Sequence, residues 1–92
     1  MATLHFDTEA GKMTAQTIIA SKGNIETELQ NLRNRVNGMV GAEWIAPAAT
    51  TFQGEFETWA GQLTQTLQAL ETLKVRLDQE IVEWETAAQG FA

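Results

Sequence analysis

Ten large apolar residues keep a single helical phase through the second half of this chain. Phe52, Phe56, Trp59, Leu63, Leu67, Leu70, Leu73, Leu77, Ile81 and Trp84 follow one another at steps of 4, 3, 4, 4, 3, 3, 4, 4 and 3. A strand would alternate with period two, so this spacing predicts a long amphipathic helix. Its mean step of about 3.5 residues predicts a gentle left-handed supercoil against its partner. Pro47 suits the first helical turn, where its missing N–H is not needed and its fixed φ is already helical. Helix 2 is therefore expected over about residues 47–88, with residues 89–92 as a frayed tail. Gly54 and Gly61 lie inside it, each costing up to about 1 kcal/mol relative to Ala without breaking the phase.

The first arm carries a second stripe: Ile18, Ile25, Leu29, Leu32, Val36 and Met39 at steps of 7, 4, 3, 4 and 3. Asp7 stands just ahead of Thr8, Glu9 and Ala10, so its carboxylate can cap free backbone N–H groups while Glu9 sits in the positive first turn. Gly38 and Gly41 accept left-handed backbone and place the far end near residues 38–41. Helix 1 is expected over about residues 8–40 and a turn over 41–46, within one domain of 92 residues.

At 1.5 Å per residue, helix 1 should be roughly 45–50 Å long and helix 2 roughly 60 Å; a short turn forces them antiparallel. Each apolar stripe is about 100° wide, and one neighbouring helix covers only part of it. A second hairpin laid over the remainder would gain on the order of 1.5–3 kcal/mol for each large side chain newly buried. The expected fold is all-α: an antiparallel helix-turn-helix hairpin that dimerises into a four-helix bundle. Its core and dimer stripe is Ile25, Leu29, Leu32, Val36, Phe52, Phe56, Trp59, Leu63, Leu70, Leu77 and Ile81. Val75 and Val82, spaced by seven and off the main stripe, either extend that contact or are surface residues.

The residue inventory leaves little room for catalysis. There is no Cys and no Tyr, one His (His5) and one Ser (Ser21), so a nucleophile–His–acid site would have to use the start of the chain. No carboxylates show EF-hand or Glu-x-x-His spacing. Glu26 with Glu28, and Glu55 with Glu57, point to different helix faces and read as solvated charge. Gly23 is isolated in a helical pattern, and no Gly-rich phosphate loop exists. No enzyme, catalytic residue, metal or cofactor is expected.

Twelve acids against six bases give a net charge of −6, the wrong sign for a nucleic-acid partner or a polybasic membrane anchor. No stretch approaches the roughly 18 apolar residues of a membrane span. The first twenty residues, interrupted by Asp7, Glu9 and Lys12, do not read as a cleavable signal peptide. A mean hydropathy of −0.20 argues against membrane contact at neutral pH. Acid would protonate carboxylates and weaken that objection, which keeps a membrane-active helical effector as one alternative.

Two features stay open at this level. Asp78, Glu80, Glu83 and Glu85 crowd the C-terminal end of helix 2, where the macrodipole disfavours negative charge, as either a solubilising face or an acidic docking surface. Trp44 sits in the turn and would expose much apolar area unless something covers it. It either folds back as a plug over the helix ends or awaits a partner surface.

The turn and its flanks, Glu43, Trp44, Ile45, Ala46 and Pro47, then Ala48, Ala49 and Phe52, lie between two amphipathic arms. Across its whole length the chain resembles the WXG family, the early secretory antigenic target-like proteins of type VII (Esx) secretion. Two positions depart from the family pattern. The motif's Gly is here Ala46, and the C-terminal signature, an aromatic with an acid four residues later, falls on Trp84 and Ala88, keeping the ring and losing the acid. In the family that signature can sit on one member of a pair.

The resemblance implies a non-enzymatic hairpin that forms a homodimer or a heterodimer with a related WXG-type chain. It implies a substrate or co-exported partner recognised by the secretion ATPase of a type VII system, cytoplasmic before export and extracellular or surface-bound after it, with no cleaved signal peptide. In the family, the turn Trp of one subunit and the C-terminal motif of the other meet at one end of the dimer. That analogy assigns a composite recognition patch to Trp44, Ala46 and Trp84, although Trp84 also reads as the last member of the stripe. A cytosolic adaptor or targeting chaperone for a larger helical toxin has the same shape and is the other alternative.

Overall fold

A computed structural model describes residues 4–90, and side chains through residue 88. It is all-helical, with two helices, α1 (Thr8–Met39) and α2 (Pro47–Gly90), packed as a hairpin. Asp7 caps α1: its carboxylate accepts the Ala10 N–H at 3.0 Å, and Glu9 occupies the first turn. At the other end Val40 leaves the helical conformation while its N–H still donates to the Val36 carbonyl.

Of the two glycines near that end, Gly41 makes the turn. Its φ of +88° is the left-handed conformation that a Cβ would strain, whereas Gly38 remains inside α1. The Met39 carbonyl then accepts the N–H groups of Ala42, Glu43 and Trp44 at 3.3, 2.9 and 3.0 Å, and the Gly41 N–H donates to the Trp44 carbonyl at 3.0 Å. The turn is thus closed by four backbone hydrogen bonds. α2 starts at Pro47 and runs two residues past position 88; Phe91 and Ala92 lie outside the described residues.

The hairpin is a rod of 69 × 20 × 20 Å, its length set by α2, whose 44 residues span about 66 Å. Its radius of gyration is 20.8 Å, against about 12 Å for a compact domain of this size. It exposes 6917 Å², where a compact monomer of 10.1 kDa would expose about 5,300 Å². The buried core is correspondingly thin. Leu29, Val36, Phe56 and Ala60 form its main cluster with Val40 and Leu63 packed against it, and Leu67, Ala15 and Ile81 are the buried apolar residues toward the open end.

Candidate functional site

The seam between the helices has two unlike edges. At about 100° per residue, Ile25 and Leu32 lie about 40° and 60° to one side of Leu29, and Arg33 about 40° to the other. On α2, Phe52 and Trp59 fall on one side of Phe56, and Gln53 and Glu57 on the opposite side. Antiparallel packing brings the two apolar sides together and the two polar sides together.

The apolar edge is an open groove lined by Ile25, Leu29, Leu32, Trp59 and Leu63, with Glu28 and Asn31 at its rim. Only part of the apolar stripe is covered by the hairpin itself. Leu29, Val36, Phe56 and Ile81 are buried, and Leu63, Leu70 and Leu77 are half-buried. Ile25, Leu32, Phe52 and Trp59 are exposed, Leu32 and Trp59 by 45% and 47%. The Trp59 ring is tilted on Phe56, with centroids 5.8 Å apart, and keeps about half of its surface in solvent. Leu73, 63% exposed, and Trp84 continue the same side toward the open end.

The other edge is ionic. Lys12 Nζ donates to Glu85 at 3.2 Å, Lys22 lies 3.8 Å from Glu71, Arg33 Nε donates to Glu57 at 3.3 Å, and Gln53 donates to Asn37 at 2.9 Å. Glu85, and after it Glu9, hold the Lys12 pKa above the ordinary lysine value by accepting its hydrogen bonds. Val75 and Val82 lie around this side of α2, with Asp78, Gln79 and Glu83 beside them, and therefore do not extend the apolar edge. Among the described residues no His, Asp and Glu side chains converge as a metal-binding group.

The proposed recognition residues sit at opposite ends of the rod. Trp44 is half-buried, its ring tilted on Phe52 with centroids 5.7 Å apart, and with Ile45, Ala46, Pro47, Val40 and Ala49 it lines a shallow pocket at the turn. Ile45 is 80% exposed. Trp84 lies on the last turns of α2, and Ala88, one turn beyond, is exposed. About 55 Å of helix separates Pro47 from Trp84, so one chain cannot bring the two motifs together.

Periodicity did not single out two residues at the open end. Phe6, just ahead of α1, packs edge-on against Trp84 with centroids 6.0 Å apart, and Gly11 is buried beneath it. The available signal was the spacing of Gly11 and Ala15, four apart and in phase with Leu29 and Val36.

The sequence pattern of the family described as proteins of 100 residues with WXG (WXG100) matches residues 5–89, nearly the whole chain. The chain belongs to the WXG family. Neither the curated proteins nor the solved structures gave a significant match. As a WXG protein it is a small helical chain linked to type VII secretion, from a family of non-enzymatic secretion substrates that generally form dimers. None of its described helices is long and apolar enough to cross a membrane. In this WXG chain the Gly of the motif is Ala46, which is half-buried; its carbonyl accepts the Ala49 N–H at 3.0 Å in the first turn of α2.

Proposed function

We propose that this WXG chain is a substrate or co-exported partner of a type VII machine and acts as a two-chain, four-helix bundle. The observation that carries the proposal is the open groove of Ile25, Leu32 and Trp59, large apolar side chains that a single hairpin leaves in water. A second copy or a related WXG chain laid antiparallel along that edge would cover them. It would also set the Trp44 turn of one chain beside the Trp84 end of the other, the composite patch offered to the secretion ATPase. Ala88, in place of the acid, favours a pair in which the partner supplies the complete C-terminal signature. The same position favours the adaptor reading, in which the chain escorts a larger exported protein.

Export of Trp44→Ala tests the proposal. The variant should keep its helicity and its assembly and be lost from the culture medium. If Trp44→Ala unfolds instead, Trp44 is a structural plug and the turn is not the recognition element. If the unmodified chain stays in the cell while a bound partner is exported, the adaptor reading replaces the substrate reading.

A further inference from the structure

Phe6 occupies the position just before the N-cap, where a hydrophobic residue commonly packs on the fourth residue of its own helix. Here that fourth residue is Gly11, which offers no side chain. The Phe6 ring passes over it to the other helix and meets Trp84 edge-on with centroids 6.0 Å apart. A Cβ on Gly11 would come within 2.9 Å of Phe6 Cζ and 3.2 Å of Ile81 Cδ1. By contrast, Gly23, Gly38, Gly54 and Gly61 have nothing within 4 Å of such an atom. Gly11 is therefore a seat shaped for the Phe6 ring.

The Lys12–Glu85 bond ties the two helices beside that seat at 3.2 Å. Asp7 is fixed to α1 by the N–H groups of Ala10 and Gly11, whereas Leu4 and His5 are exposed, so ahead of the cap a single aromatic side chain anchors Leu4–Phe6. A segment held by one ring can lift away without breaking any helical hydrogen bond.

We propose that the segment Leu4–Phe6 is a built-in cover for the end of α2, with Phe6 seated on Gly11 and masking one flank of Trp84. Trp84 is already 39% exposed; withdrawing Phe6 bares the further flank that its ring covers and leaves both helices intact. The functional consequence rests on the reading of Trp84 as a recognition position: the cover would hold the C-terminal signature partly closed until the secretion machinery displaces it.

The test uses the full chain with Trp44→Phe and Trp59→Phe, so that Trp84 alone fluoresces. In this background Phe6→Ala should raise acrylamide quenching of Trp84 by roughly twofold, because one flank of the ring loses its aromatic neighbour. Gly11→Leu should evict the ring and give the same rise, with far-UV circular dichroism unchanged in both variants. In the chain without substitutions, Phe6 ring protons should show nuclear Overhauser contacts to the Trp84 indole. Unchanged quenching in both variants, or absence of those contacts, would overturn the proposal. Loss of helix in both variants would also overturn it, making Phe6 a structural part of the hairpin. In an export assay, release of Phe6→Ala above that of the unmodified chain supports the gating role. If Trp84→Ala leaves export unchanged, the recognition reading fails while the quenching experiment still decides the cover.

Discussion

The two edges of the seam use the same pair of helices for opposite ends. On one edge, Lys12, Lys22 and Arg33 reach across to Glu85, Glu71 and Glu57. On the other, Ile25, Leu32 and Trp59 face solvent with no cover. Exposed ion pairs contribute little stability, while uncovered aromatic and aliphatic surface retains an unspent driving force for association. The difference lies in which residues flank the shared core line of Leu29, Val36 and Phe56, and it gives a symmetric-looking hairpin a definite front and back.

Substitutions on the two sides of that line should separate folding from assembly. Phe56→Ala, in the buried cluster, should lower stability by about 3–5 kcal/mol at every protein concentration, measured by thermal melting. Trp59→Glu, on the apolar edge, should instead weaken association by on the order of 3 kcal/mol, more than a hundredfold in Kd, with melting that recovers as concentration rises. If the two variants behave alike, the edge is not an interface.

The ionic edge should respond far less. Arg33→Ala, in a pair that is about a third to a half exposed, should change stability by about 0.2–1 kcal/mol before screening, and the change should shrink in high salt. The smallest expected effect is alkaline. Because Glu85 and Glu9 raise the Lys12 pKa, its contribution is fully present below the ordinary value of 10.5 and is lost as pH rises through the folded-state value. Lys12→Met should remove that part of the alkaline loss in a pH series of melts.

Much of the fold is legible in the sequence because large residues in phase leave a clear trace. The stripe from Phe52 to Trp84 marks α2, and Asp7 marks the start of α1 through an interaction local to three residues. Gly41 is legible as a helix stop for the same local reason, although Gly38 carries the same signal and is spanned by α1. Periodicity also identifies the apolar stripe without saying which members the hairpin itself covers. Leu29 and Leu32 look equivalent in sequence and are separated only by the direction of the neighbouring helix.

The open end was the least legible part, because its contacts depend on missing atoms and on chain reversal. A scan for large apolar residues passes over Gly11, and the pairing of Phe6 with Trp84 joins residues from opposite ends of the sequence. The surroundings of Trp44 are intermediate: its ring meets Phe52 eight residues later, in the second turn of α2, a contact local enough to expect once the turn is placed.

Sedimentation of the unmodified chain at micromolar concentration tests the central claim most directly. A species of two chains, formed with itself or only on mixing with a related WXG chain, and with Trp59 protected from quencher, is the predicted result. A solitary, fully helical and cooperatively melting particle of 10.1 kDa, with Trp59 still open to quencher and no change on adding such a chain, would contradict it.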